Sequence, residues 1–443
     1  GCPLLSIRER ERERDRQRNI QIMEILEDSE MKNWLFQPPK YTTFRINALK
    51  KFDVSILQQH LSAVCKELNT EHIPKVYFIR PDCLILEQWP NDVSLEKTGK
   101  EVVVDALCAA AVLRGAHIFA PGVMGLPVNC QLGERIDIYG DLEGHCKRGL
   151  KVQYEGKKLY VGTGYLKMLR TDLFDNGVQP SGIAVHTILP ASKLPVVNET
   201  IYPQGEVLLQ NLPSIVCGWV IDAQPHELIL DMCAAPGNKT THLAEMSNNQ
   251  AHIIALDKTP QKTSKIKERC VIQEVTCVTM HAFDSTKCCS EKSQGIHNGP
   301  PFPPNSFDKV LLDAPCSGLG QRPQLVNKMT PKMINSYKFV QRKLFTEAVK
   351  VLKVGGKLVY STCTITYDEN EGMVAWALEK FSFLKLIPAV PIYGGPGLSL
   401  GGLNNEQRLM VQRFGPDNNE LRSVDHIYRD SIGFFIAAFT KLS

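Results

Sequence analysis

Several absences narrow the class of this chain before any motif is considered. No apolar run approaches the length of a bilayer span, and no charged-then-apolar leader opens the sequence, so no membrane association is expected. Among 14 cysteines there is no Cys-x-x-Cys pair and no paired His/Cys ligand spacing, which argues against a disulfide scaffold or a metal centre. His117 and His242 have no partner at metal spacing and are read as structural. Thiols left unpaired belong in a reducing compartment, so a cytoplasmic location is expected. A dominant charge is missing too: 51 Lys and Arg against 47 Asp and Glu give +4, which permits a polyanionic partner without demanding one. What is present is a globular composition, 443 residues with 43% hydrophobic and 22% charged, ample for more than one core.

The texture of the chain changes three times. Residues 1–19 form a charged tail whose run RERERERDRQR has no apolar face and reads as a solvated segment. Residues 20–100 mix helical periods (Ile20 to about Leu35, Val54–Leu68) with strands (41–50, KVYFI, DCLILEQW), a small α+β module. Over 101–195 a helix is expected at 102–116. Short strands punctuated by glycine follow, GERIDIYGDLEG, KRGLKVQYEGKKLYVGTGYL and SGIAVHTIL, the pattern of a small β-barrel. Lys147, Arg148, Lys151, Lys157 and Lys158 oppose only Glu155 there, a candidate phosphate-binding face. From 196 to 443 apolar strands alternate with helical stretches, the mark of a doubly wound, Rossmann-like parallel sheet with its ligands at the carboxyl ends of the strands.

Four of those strands end on or just before an aspartate: Asp231, Asp257, Asp284 and Asp313. After Asp231 the small-residue turn CAAPGNKT (233–240) leads into a helix, where backbone can approach a ligand closely. Asp257 lies twenty residues beyond Gly237, the spacing of a carboxylate that accepts hydrogen bonds from ribose hydroxyls. This turn has neither GxGxxG nor the adjacent Gly-Lys of a phosphate loop, reading Gly237-Asn238-Lys239-Thr240, which favours an adenosine cofactor without phosphate, S-adenosylmethionine. Cys316, in Asp-Ala-Pro-Cys, follows the fourth strand, and Cys363, in Ser-Thr-Cys, follows the fifth, so both thiols share the expected crevice. Such chemistry suits carbon 5 of a pyrimidine, which attacks a methyl sulfonium only after a thiolate has added to carbon 6. Lys239 is the nearby cation able to lower a thiol's pKa.

The segments DMCAAPGNKT, ALD, DAPCSGLGQRP, YSTCTITYDENE and DSIGFFIA together resemble the Nop/Sun family of RNA cytosine-5 methyltransferases. LRGAHIFAPGV and the strands around it resemble a PUA domain, an RNA-binding module. The subgroup with that insertion, conventionally the sixth, methylates cytosine near the acceptor end of certain transfer RNAs. The resemblance runs from about residue 20 to the C-terminus. It implies Cys363 as nucleophile, Cys316 as the thiol that assists product release, Asp313 as the hydrogen-bonding partner of the base, and Lys239 beside the reacting centre. S-adenosylmethionine is implied at Cys233, Ala234, Ala235, Pro236, Gly237, Asn238, Lys239, Asp257, Asp284 and Asp313. RNA contacts are implied at Arg114, Phe119, Lys147, Arg148 and Arg322. The family turn reads PGGKT; Asn238 stands here at the second glycine, and Asn tolerates a left-handed backbone better than most residues. The expected partner is transfer RNA, with structured messenger RNA as a further candidate, and the expected state is a monomer. Two alternatives remain at this point: a noncatalytic RNA-binding protein on an inert methyltransferase fold, and a DNA cytosine methyltransferase.

Overall fold

The structure is a computed structural model that describes residues 28–442 apart from 176, 401 and 417–428. The charged tail 1–19 and the first half of the first expected helix, residues 20–27, lie outside the described residues, and its second half is the helix Ser29–Phe36. The described residues form two compact units, one within 35–211 and 322–327, the other within 28–34, 212–321 and 328–442.

In the N-terminal unit, Thr and aromatic residues make β1 (Tyr41–Ile46). Asp53 accepts a hydrogen bond from the Ser55 N–H and starts the helix Val54–Glu67, which buries Leu57, Leu61 and Cys65 at four-residue spacing. β2 (Val76–Arg80) and β3 (Cys83–Glu87) follow. The helix expected at 102–116 is partly wrong. Its valines instead form β4 (Glu101–Val104), because consecutive β-branched side chains favour a buried strand. The helix begins only at Ala106 and runs to Leu113, where Asp105 caps it by accepting the Cys108 N–H at 2.8 Å.

β5 (Ile118–Phe119), β6 (Val123–Gly125), β7 (Arg135–Asp141), β8 (Lys158–Leu166), β9 (Ile183–Pro190) and β10 (Val207–Leu209) complete this unit. Two sheets result, ordered β10-β1-β3-β2 and β5-β9-β8-β7-β4-β6. The end strands β5 and β6 of the second sheet are separated only by the turn Ala120–Gly122. Residues 147–157, expected within a strand, form a loop instead; the Arg170 guanidinium fixes it by donating to the carbonyls of Leu126, Gly149 and Leu150. A boundary at 196 also needs moving. β10 pairs with β1, so the chain to residue 211 belongs to this unit. Ile188 and Leu189 of β9 share one apolar cluster with Phe44, Leu57 and Trp89, which joins residues 35–100 and 101–195 into one body.

The C-terminal unit opens with the helix Leu212–Ile221, buried on all sides and therefore without the amphipathic period that would announce it. Then come β11 (Leu228–Asp231), β12 (His252–Asp257), β13 (Val278–Ala282), β14 (Phe307–Asp313), β15 (Leu352–Thr362), β16 (Leu384–Ile387), β17 (Gln412–Phe414) and β18 (Phe434–Lys441). The sheet runs β13-β12-β11-β14-β15-β18-β16, with β17 paired to β18. β11 to β15 are parallel, whereas β18 is antiparallel to its neighbours. Strand order reverses between β11 and β14, and ligands bind at such a switch point, outside the carboxyl ends. Phe345, Tyr360, Phe439 and other buried side chains of this unit make a dry layer behind those ends.

Candidate active site

Asp231, Asp257 and Asp313 close β11, β12 and β14, and Cys363 follows the last residue of β15, so the expected strand ends do converge. Their carboxylates nevertheless do different things. Asp231 is buried and accepts the Thr240 hydroxyl at 2.7 Å; burial pushes its pKa up to about 7. It therefore supports the turn from beneath. Asp257 accepts the Ala235 N–H at 3.0 Å and the Lys258 N–H at 2.7 Å, with the Lys262 ammonium 3.1 Å away. Asp284 follows β13 and caps the turn Ser285–Lys287, taking the Thr286 hydroxyl at 2.7 Å and N–H at 3.1 Å, which lowers its pKa. A helix-capping role, the bland alternative for a strand-end acid, is thus real at Asp284.

The turn Cys233–Gly237 holds small residues against this edge. Cys233 is a half-buried thiol whose pKa burial raises well above the ordinary value, so it is no nucleophile. Gly237 takes φ +102° at the start of the helix Asn238–Met246, and an added Cβ would lie 3.4 Å from the Ile266 backbone. Asn238 has no positive φ; the left-handed position falls wholly on Gly237. The departure from PGGKT therefore asks nothing special of the Asn backbone.

The reacting centre is compact. Lys239 Nζ lies 2.7 Å from Asp313 Oδ2, and the Ser361 hydroxyl donates to Asp313 Oδ1 at 2.7 Å. Burial works against the Lys239 ammonium, but the Asp313 carboxylate outweighs it and holds the pKa above the usual value. The Phe434 ring, 5.3 Å from the ammonium, supplies an apolar face that the sequence did not single out.

Cys316 Sγ and Cys363 Sγ are 3.4 Å apart, a hydrogen-bonded thiol pair and not a disulfide. Donation from the Cys316 S–H lowers the Cys363 pKa against the effect of burial, helped by the Gln321 side chain and the Lys239 ammonium and opposed by Asp313. The same contact, with burial and the Glu369 carboxylate, raises Cys316 well above its ordinary value. These directions favour Cys363 as the site of ionisation and Cys316 as the donor across the pair.

Both thiol-bearing loops end on buried polar residues that sequence reading missed. The Asn370 side chain brackets Cys363, accepting the Thr362 hydroxyl at 2.5 Å and donating to the Thr364 carbonyl at 3.0 Å. Glu371 pairs with the buried Arg413 at 3.2 Å. Their signal was the polar run Asp368-Glu369-Asn370-Glu371 that ends the segment YSTCTITYDENE, to which no residue role had been attached.

The RNA-binding candidates separate. Arg114, Lys147, Arg148, Lys151 and Lys157 are exposed. Phe119, 55% exposed, is not a core residue. Arg148 donates to the Pro121 and Val123 carbonyls at 2.9 and 3.1 Å, so it also braces the β6 turn. Lys158 leaves the basic face, because its ammonium binds both Glu101 carboxylate oxygens at 2.7 and 2.8 Å. Arg322 is buried in the N-terminal unit rather than displayed. Among the described residues no cluster of His, Cys, Asp or Glu has the arrangement of a metal site.

A family model described as 16S rRNA methyltransferase RsmB/F matches residues 219–439. The tRNA (cytosine(72)-C(5))-methyltransferase NSUN6 of Mus musculus is 40% identical over 423 residues, covering 92% of this chain and 88% of that protein. The tRNA (cytosine(72)-C(5))-methyltransferase of Pyrococcus horikoshii is 32% identical, covering 94% of this chain and 93% of the relative. The crystal structure of NSun6 from Pyrococcus horikoshii with SFG is similar at a TM-score of 0.71 and 29% identity, over 96% of this chain and 98% of that one.

Proposed function

Because the chain belongs to the RsmB/F (Nop/Sun) family of methyltransferases, we propose that it forms 5-methylcytosine in transfer RNA, near the acceptor end, with S-adenosylmethionine as methyl donor. One observation carries the reading: two thiols 3.4 Å apart, beside a Lys239–Asp313 pair, at the ends of adjacent parallel strands. The residues present fit the cofactor. The glycine-started turn gives close backbone approach, Asp257 and Asp284 offer carboxylate oxygens to hydroxyls, and no phosphate loop is needed. Bound there, it supplies an electrophilic methyl group.

The chain's own residues account for the rest. Cys363 Sγ adds to carbon 6 of the cytosine, and the ring nitrogen takes a proton as the C–S bond forms. The Lys239–Asp313 pair is placed to deliver that proton: it comes from the Lys239 ammonium, relayed through the Asp313 carboxylate 2.7 Å away. Carbon 5 is then nucleophilic enough to take the methyl group. The carbon 5 proton then passes to solvent, the C–S bond breaks, the ring nitrogen returns its proton to the Lys239–Asp313 pair, and the Cys316 S–H donates to the departing Cys363 thiolate.

The Gly-punctuated sheet of the N-terminal unit is read as a PUA domain and the β1–β3 sheet as an α+β RNA-binding module. Arg114, Phe119 and Lys147 are assigned RNA contacts, supported by their exposure. A monomer acting in the cytoplasm, with structured messenger RNA as a second substrate, completes the proposal. Transfer of tritium from labelled S-adenosylmethionine to transfer RNA, with bisulfite sequencing to locate the base, tests it. Absence of transfer, with the cofactor bound, overturns the catalytic reading in favour of an inert RNA-binding fold.

A further inference from the structure

We propose that Glu369 is the positioning residue that fixes the two thiol-bearing loops against each other and decides which thiol carries the charge. The inference rests on the reading of Cys363 as nucleophile. Glu369 lies six residues beyond Cys363, at 1% exposure, and touches neither sulfur by hydrogen bond. Its carboxylate instead gathers donors from both loops and from a neighbouring helix. Oε1 accepts the Ser317 N–H at 2.9 Å and the Gln341 side-chain amide at 3.0 Å. Oε2 accepts the Ser317 hydroxyl at 2.6 Å and the Thr366 hydroxyl at 2.7 Å. Gln341, from the helix Pro331–Val351, also donates to the Pro315 carbonyl at 3.0 Å, so both chain neighbours of Cys316 are held through this one group.

The connection continues to the other loop. The Ser317 hydroxyl has one proton, which the carboxylate receives, so the Thr364 hydroxyl at 2.8 Å donates to Ser317. Thr364 immediately follows Cys363. The Tyr360 hydroxyl, on β15, donates to the Glu369 carbonyl at 2.7 Å and ties the segment to the strand that carries the nucleophile. Loops from β14 and β15 thus end on a single acceptor-only group, and the sulfur separation is set by its geometry.

The second consequence is electrostatic. Two close thiols share one ionisation, and neighbouring charges choose its place. A negative carboxylate behind Cys316 disfavours an anion there, while the Lys239 ammonium favours one at Cys363. The proton stays on Cys316, which is the arrangement needed both for attack by Cys363 and for assisted release.

Glu369→Gln keeps the side-chain size and removes the charge, so it separates these effects from bulk packing. The rate of Cys363 alkylation by iodoacetamide, followed against pH by peptide mass analysis, should shift upward by about one pH unit. The rate of methyl transfer should fall about tenfold or more at neutral pH and recover as pH rises, with KM for S-adenosylmethionine held within about twofold. Glu369→Asp, which retains the charge, should restore most of the alkylation profile. An unchanged profile in Glu369→Gln overturns the proposal, as does a raised KM with no change in the profile. Should Glu369→Gln not fold, Thr366→Val decides: it removes one donor from the Cys363 side, and an unaltered Cys363 profile overturns the proposal. Cys363→Ala keeps the underlying reading separate. Methylation surviving in that variant refutes the thiol mechanism itself, whereas its loss beside a normal Glu369→Gln profile refutes only the positioning role.

Discussion

Removing Cys316 takes away the hydrogen-bond partner that lowers the Cys363 pKa, so the two thiols should fail in different ways. Cys363→Ala leaves nothing to add to carbon 6, and methylation and covalent capture of RNA should vanish together. Cys316→Ala still forms the adduct but loses the hydrogen bond that assists departure of the sulfur. Protein–RNA complex should accumulate and survive denaturing electrophoresis; an adduct formed by Cys363→Ala and absent from Cys316→Ala reverses the assignment. The pH dependence has a definite sign. With its donor gone, Cys363 moves back up toward the ordinary thiol value of about 8.5, so its alkylation in Cys316→Ala should need a more alkaline solution than in the parent. Cys316→Ser, which retains a donor, should lie between. At this scale the sequence was most informative: Asp313, Cys316 and Cys363 each sit where an apolar strand stops, and strand ends on a parallel sheet face one crevice. Glu369 was not legible, because its partners Ser317, Gln341 and Thr366 come together only through the fold.

At the scale of single elements, the turn between β11 and the helix Asn238–Met246 gives the clearest contrast. Gly237→Ala places a side chain at φ +102°, a backbone strain of roughly 1–2 kcal/mol, with the new Cβ in ordinary contact with Ile266. Thermal stability and S-adenosylmethionine affinity should both fall. Asn238→Gly, restoring the usual family residue, should leave cofactor affinity within about twofold, since no left-handed conformation is needed there. Below the same turn, Asp231 supplies a pH signature. Its folded pKa of about 7 lies above the ordinary carboxyl value, so the folded chain binds the extra proton and stability falls as pH rises through that window. Asp231→Asn should flatten this part of the dependence, as read from urea unfolding at several pH values between about 4 and 8. Elements were legible where one face was apolar and opaque elsewhere. Leu212–Ile221 has no polar face to mark its period, and the valines of β4 read as helix because the cap at Asp105 went unnoticed.

Across the whole molecule, the division into units was the hardest feature to read, because β10 is three residues long and pairs with a strand some 160 positions earlier in the chain. Composition changes near 196, but hydrogen bonding to β1 continues to Gln210, whose N–H donates to the Thr43 carbonyl. The same distinction between local pattern and long-range partner governs the basic face of the N-terminal unit. Arg148 braces Pro121 and Val123, and Lys158 is paired with Glu101, so reversing either charge would disturb the fold as well as any RNA contact. Lys147 and Lys151 are exposed and allow a cleaner test. If they contact phosphates, Lys147→Glu with Lys151→Glu should weaken transfer RNA binding without altering S-adenosylmethionine affinity or thermal stability. Each lost contact should also reduce the slope of log affinity against log salt by roughly 0.7–0.9. Filter binding over a range of potassium chloride concentrations measures that slope. A weaker affinity with the parent slope would mean the substitutions acted through the fold, whereas an unchanged affinity would leave these lysines as a solvated surface and move the RNA contacts toward Arg114 and Phe119.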